Sequence, residues 1–318
     1  MNPRSIAGIL FVIVCSTFLW SQAQQGPSAP PQGQKGFDTP QMAAEALIKA
    51  AESYDLPALL DFFGPDGKEL VESADPVQSK NNVEEFAAKA RQKHSIKTEK
   101  NTAVLVVGSD HWPMPVPLVK KQGKWYFDTK AGHDEILYRR IGANELDAIQ
   151  LCRGYVEAQK EYAQEAHGNP PIHQYAQKII STPGQKDGLF WRNQDGSPGG
   201  PISEAVARAL EEGYSDKSDK PKPYHGYYFK ILQGQGPNAP FGEISYNING
   251  VMLGGFALVA VPAEYRVTGV KTFIVNQAGV VYEKDLGPDS LKIAKDMTAF
   301  NPDKTWRATR DRRLVAGN

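Results

Sequence analysis

The sequence predicts an α+β protein of two domains. Three observations carry that reading. From Thr39 to Ala90 apolar residues recur at three- and four-residue spacing, and from Thr102 to Phe127 they fall instead into short β-branched and aromatic runs. A second helical stripe opens near Asn144, and five strand-like segments crowd between Pro223 and Leu286. Helices followed by strands, twice over, is the order of antiparallel α+β architecture rather than of alternating parallel α/β units. With 318 residues the chain is long enough for two domains of ordinary size.

Arg4 precedes an apolar run from Ile6 to Trp20, and Ser21-Gln22-Ala23 supplies the small residues of a cleavage site, so residues 1–23 read as a secretory signal peptide. The run of about 15 residues is shorter than the roughly 20 that a spanning helix needs, and no integral membrane span is expected in the mature chain. Two alternatives stay open: lipidation at Cys15, against which the bulky Val14 speaks, and a retained, membrane-anchored form. The expected compartment is the periplasm or the exterior of the cell. Residues 24–36 are Gln, Pro, Gly and Ser with too little apolar surface to offset their conformational entropy, and read as a disordered linker.

The first domain is expected over residues 37–142. Thr39 with Pro40 has the form of an N-cap followed by proline at the first helical position, and Ala43, Leu47, Ala50 and Tyr54 continue one face. A short second helix runs through Leu59 to Phe63 and stops at Gly64-Pro65, and Asp75-Pro76 opens a third with Val83, Phe86, Ala87 and Ala90 on one side. Strands follow at Thr102 to Val107, Val116 to Val119 and Lys124 to Phe127, the last after a Gln122-Gly123 turn.

The second domain is expected over residues 143–306. Asn144 with Asp147 has the form of a capping box, and Leu146, Ile149, Cys152, Val156 and Ala163 mark a helix reaching Ala166. A shorter helix is expected around His173 to Ile180, then a Gly- and Pro-rich passage, and a helix capped by Ser203 with Val206 and Leu210 inward and Gly213 as its stop. The charged run Ser215 to Pro223 leads into the sheet: Tyr227 to Leu232, Ser245 to Ile248 before an Asn249-Gly250 turn, Phe256 to Val261, Val270 to Asn276 and Val280 to Lys284. A last helix with Leu291 and Ala294 inward starts after Gly287-Pro288, and residues 307–318 form a basic, frayed tail.

The 36 basic residues balance 36 acidic ones, which argues against a nucleic-acid partner. After signal cleavage Cys152 stands alone, so no disulfide within the chain is expected, and its place on an apolar helix face reads as a small buried hydrophobe.

Gly123-Lys124-Trp125-Tyr126-Phe127, after helices and strands in this order, resembles the late strand of the NTF2-like cone fold, which implies a pocket lined here by Trp112, Trp125 and Phe127. From Pro223-Tyr224-His225-Gly226-Tyr227-Tyr228-Phe229 through Gln233 to Pro240, Gly254 to Ala260, Pro262 to Tyr265 and Thr272 to Gly287, the chain resembles a bacterial secreted family, the domain of unknown function 2950. His111-Trp112-Pro113, Arg139-Arg140-Ile141-Gly142, Asn144-Glu145-Leu146 and Lys186-Asp187-Gly188-Leu189 extend the likeness over the mature chain. The resemblance implies compartment and fold and no mechanism. A long helix followed by Gly226 to Leu232, Phe256 to Pro262 and Thr272 to Val281 is also similar to the globular head of type IV pilins and pseudopilins. A pilin needs a long apolar helix directly after its processing site, and Phe37-Asp38-Thr39-Pro40 stands where that helix would continue, so assembly as a pilin is not expected.

Candidate chemistry is sparse. His111 and His133, beside Asp110 and Asp134, lack zinc-type ligand spacing, no Gly-x-Ser-x-Gly elbow occurs, and the EF-hand order is absent around Asp187, Asp195 and Asp289. Gln233 to Asn238 contains Gly-x-Gly, but Pro237 and Pro240 follow where a phosphate loop needs a helix N-terminus. No catalytic residue, metal or cofactor is assigned. The candidate binding cluster is Tyr224, His225, Tyr227 and Tyr228 with Glu264 and Tyr265, aromatic rings and one carboxylate that suit a peptide or glycan if their two loops meet at one end of the sheet. Strand alternation assigns Tyr227 and Phe229 to the core and Tyr228 to the other face. The expected role is a non-enzymatic envelope binding or scaffold component, with an envelope protein or glycan as partner; the alternative is small-ligand binding or hydrolysis in the first-domain cone.

Overall fold

The computed structural model describes residues 33–71, 76–204, 206–207 and 223–309. The signal segment with Cys15, residues 24–32 of the linker, Asp75, Leu210, Gly213, residues 215–222 and the tail from residue 310 lie outside them. The chain divides into two compact units, Met1–Gly132 and His133–Asn318.

The first unit begins as its caps dictate. Thr39 Oγ1 accepts from Met42 N at 3.1 Å ahead of the helix Pro40–Glu52, and Asp55 Oδ1 accepts from Ala58 N at 3.2 Å ahead of Leu56–Phe63, which Gly64 ends at φ +74°. The short turns Lys68–Val71 and the helix Pro76–Gln92 complete the helical layer. The antiparallel sheet has the order His94–Glu99, Thr102–Val107, Leu118–Lys121, Lys124–Phe127, with Trp112–Pro113 on the end of the second strand. The strand His94–Glu99 carries no apolar alternation because it lies at an edge with only Ile96 half-buried.

Phe37, Phe62, Phe63 and Phe127 meet edge to face in the core of this unit, with ring centroids 5.2 to 6.3 Å apart. Trp125 and Phe127 are buried among them, whereas Trp112 is 37 % exposed outside that cluster. Of the three residues expected to line a ligand cone, Trp125 and Phe127 sit at alternate positions of one strand and pack into the core, while Trp112 follows a turn at His111.

The second unit is built on the helix Thr129–Tyr162 from His133 onward. Its N-terminal signal is Asp128, whose carboxylate accepts from Ala131 N at 3.2 Å, and not Asn144, which lies inside it. Asn144 and Glu145 serve the loop before a sheet strand instead. Asn144 Nδ2 donates to Thr268 O at 2.9 Å, and Glu145 Oε1 accepts from Val270 N and Lys271 N at 3.0 Å each. Ala148, Cys152, Tyr155 and Val156 form the buried stripe of the helix, and Leu146 is exposed. Burial pushes the Cys152 thiol up to about 12.

The helix expected around His173 to Ile180 is extended chain with the strands Ile172–His173 and Lys178–Ile180. The cause is the buried Gln159, whose Nε2 donates to Ala176 O and whose Oε1 accepts from Ala176 N, both at 2.8 Å, so the Ala176 peptide has no need of helical partners. Of the helix expected after Ser203, the described part shows Val206 N donating to Ser203 Oγ at 3.3 Å.

The main sheet is antiparallel in the order Tyr227–Leu232, Ala257–Pro262, Lys271–Asn276, Tyr282–Asp285, Arg307–Ala308. Four of its members are the expected segments. Ser245 to Ile248 is not one: it splits into two short pairings, Ile244–Ser245 with Gly234–Gln235 and Asn247–Ile248 with Val251–Met252 around the Asn249-Gly250 turn. The fifth place belongs to Arg307–Ala308, expected in a frayed tail, because Tyr282 and Glu283 offer it an open edge. Ala257–Pro262 is buried throughout, and the helix Ser290–Asp296 contributes Ala294 to the same core.

Candidate functional site

The chain enters the sheet through the tight turn Tyr224–Tyr227. Tyr224 N donates to Tyr227 O at 3.0 Å and Tyr227 N to Tyr224 O at 2.9 Å, with φ +45° at His225 and +74° at Gly226. Glycine is required at 226 twice over. The positive φ favours it, and a Cβ there would lie 2.7 Å from both Asn144 Nδ2 and Thr268 Cβ. Ala263 N donates to Gly226 O at 2.9 Å, so the turn and the loop after Pro262 meet at one end of the sheet, as the candidate cluster requires.

The six candidates nevertheless part company there. Tyr227 is fully buried and its hydroxyl donates to Lys271 O at 2.8 Å; burial, then the nearby Glu145 carboxylate, pushes that hydroxyl well above the ordinary phenol range. It is a core residue. Tyr228, half-buried, pairs with Val261 on the opposite face of the strand. Tyr265 turns toward Asp285, to which its hydroxyl donates at 3.3 Å, with the Arg266 guanidinium 5.4 Å from its ring. Glu264 is exposed; its backbone closes the loop through Thr268 Oγ1.

Tyr224 and His225 remain, joined by a residue from 78 positions earlier. His225 Nδ1 is paired with the Asp147 carboxylate, and the rings of Tyr224 and His225 stack with centroids 4.2 Å apart and planes 25° from parallel. Beside them is a groove of about 400 Å³. Leu151, Tyr155, Leu189, Ile202 and Val206 give it apolar walls, and Asp147, Gln150, Ser203, Tyr224 and His225 give it polar ones. One side is a single helix face, Asp147, Gln150, Leu151 and Gly154, at the spacing i, i+3, i+4, i+7. A Cβ at Gly154 would meet nothing within 4 Å, so this mid-helix glycine opens the groove and answers no packing demand among the described residues.

Asp147 and its face were the residues sequence reasoning missed. The signal was there, since a helical stripe carrying Asp, Gln and Gly is a poor core face, but Asp147 was taken up by the capping-box reading of Asn144. Among the described residues no group of three or more His, Cys, Asp or Glu could hold a metal ion, and no helix is long and apolar enough to cross a membrane.

The molecule is thus an α+β protein whose second unit carries a groove lined in part by the hydrogen-bonded His225 and Asp147 at the end of a sheet. The model of the family described as protein of unknown function (DUF2950) matches residues 34–309, and the chain belongs to that family. No curated protein and no solved structure matches it.

Proposed function

We propose that this chain is a non-enzymatic binding component of the bacterial cell envelope, periplasmic or secreted, and that it holds a protein partner in the groove beside Tyr224 and His225. The observation that carries the reading is the groove itself: about 400 Å³, with Leu151, Leu189, Ile202 and Val206 as apolar lining and the His225–Asp147 pair among its polar lining. That combination suits an apolar side chain of a partner segment flanked by polar backbone, which the polar lining can bond. Cys152 is buried and its thiol is held protonated, and His225 is committed to Asp147. The apolar segment Ile6 to Trp20 supports the envelope assignment, and the long helix followed by an antiparallel sheet supports a pilin-like head that binds without polymerising.

Capture of envelope proteins on the immobilised chain, with the double variant Tyr224→Ala/His225→Ala as comparison, tests this. A partner retained by the natural chain and lost at least about tenfold by the variant is expected, because hot-spot truncations of aromatic residues cost about 2 kcal/mol or more. Equal capture by both would place binding elsewhere.

A further inference from the structure

A second hollow, of about 590 Å³, lies in the second unit near the C-terminal end of the long helix, and none of its lining residues belongs to the groove beside His225. Its walls are of opposite character. Asn169, Gln174, Gln177 and Gln185 present amides, each a donor and an acceptor in one plane, and Lys178, Lys186 and Asp187 present charge. Tyr162 and Tyr175 are the aromatic members.

Part of this lining is a fixed frame. Asp187 Oδ1 accepts from Thr182 N at 2.7 Å, and Oδ2 accepts from Lys178 Nζ at 2.7 Å and Thr182 Oγ1 at 2.8 Å. Gln177 donates to Gly250 O at 2.7 Å and accepts from Asn247 Nδ2 at 2.9 Å, and the Tyr162 hydroxyl donates to Lys186 O at 2.7 Å. The rest is unspent. Gln174 uses only its NH₂, toward His167 O, and the amides of Asn169 and Gln185 and the Tyr175 hydroxyl have no partner among the described residues. Lys186 is a cation without a carboxylate among those residues; its ammonium lies 5.0 Å from the Trp191 ring centroid.

An apolar ligand would strand these groups, and a simple ion would use a small part of the space. Tyr162 is buried against the His167 ring, which leaves the half-buried Tyr175 as the ring open to a ligand; amides beside such a ring are the complement of a polyol, whose hydroxyls donate and accept at once and whose C–H face lies on a ring. Lys178 is neutralised by Asp187, so the net unpaired charge in the hollow is that of Lys186. We infer that this hollow binds a short acidic saccharide, with the unpaired amides taking its hydroxyls and Lys186 its anionic group.

Titration of the purified full chain by calorimetry, with a galacturonate trimer and a hyaluronan tetramer as acidic probes and maltotriose as the neutral one, decides the matter. Saturable binding of at least one acidic probe is expected, about tenfold tighter than maltotriose, the size of one charge-assisted hydrogen bond. Lys186→Met should abolish that preference, and Gln185→Ala, which removes an amide without a partner in the fold, should weaken all binding. His225→Ala should change nothing, which separates this site from the groove proposed above. No binding of either acidic probe, equal binding of maltotriose, or affinities unmoved by both hollow variants would overturn the inference.

Discussion

Replacing Gly154 by leucine should stabilise the protein and at the same time abolish partner capture. Glycine in a helix interior costs about 1 kcal/mol relative to alanine, mostly as backbone entropy, and leucine recovers nearly all of that. Here the added Cβ meets no atom of the described residues within 4 Å, and the position is exposed. For a unit of this size, 1 kcal/mol corresponds to a rise in Tm of about 2–4 °C. The same side chain projects from the helix face that carries Asp147, Gln150 and Leu151, and so fills the groove. Thermal unfolding and capture from envelope extract, run on Gly154→Ala and Gly154→Leu together, provide the assay. Alanine should raise Tm and spare most of the capture, and leucine should raise Tm and remove it. A fall in Tm for alanine would show that position 154 is covered in the folded chain, and undiminished capture by the stabilised leucine variant would refute the groove as the binding surface.

Three further outcomes follow from the geometry. Phe241 is 95 % exposed at φ +71°, in a loop bracketed by the Gln235 amide donating to Pro240 O and Gly242 O; a left-handed L-residue costs about 1–2 kcal/mol, part of which glycine returns as unfolded-state entropy, so Phe241→Gly should raise the urea midpoint by the equivalent of about 0.5–1 kcal/mol, and a lowered midpoint would contradict the strain. Asp187 is subject to burial, which raises its pKa, but the bonds from Lys178 and Thr182 outweigh that and hold it below the ordinary aspartate value of 3.8. Its contribution to stability is therefore complete above that value and is lost as pH falls through the lower folded pKa; Asp187→Asn should show a shallower loss of stability in that acidic window, and an unchanged acid limb in pH-dependent urea unfolding would count against it. Cys152, with its thiol pushed up to about 12 by burial, should resist a thiol reagent at neutral pH in the native chain and react fully in denaturant; fast native labelling would show that the helix–sheet interface opens.

What could be read from the sequence was whatever local chemistry decides. Thr39-Pro40 capped a helix as written, Tyr227 to Leu232 alternated as a half-covered strand should, and the Asn249-Gly250 dipeptide turned a hairpin. Misreadings arose where a residue with a local signature works at a distance. Asn144 has the form of an N-cap, yet its amide is bonded to Thr268, and the residues after His173 have helical spacing, yet Gln159 holds their backbone extended. Arg307–Ala308 looked like tail because a two-residue edge strand has no pattern of its own, only a neighbour with open bonds. The candidate site divided along the same line. Tyr224 and His225 stood out by composition and lie at the groove, but Tyr227 went to the core and Tyr265 to Asp285, and Asp147 joined from a helix far away in the chain. No one-dimensional pattern distinguishes a tyrosine that lines a groove from one that fills a sheet.

The most direct test of the central claim is photo-crosslinking from inside the groove. A benzoylphenylalanine placed at Gln150, which is exposed on the groove wall, should on irradiation of intact cells give a discrete adduct with an envelope protein, and the adduct should vanish when Gly154→Leu is added. The same probe at Lys97, on the exposed edge strand of the first unit, should give no such band. An adduct of equal yield at both positions, or one indifferent to Gly154→Leu, would contradict the assignment of this groove as the place where the protein meets its partner.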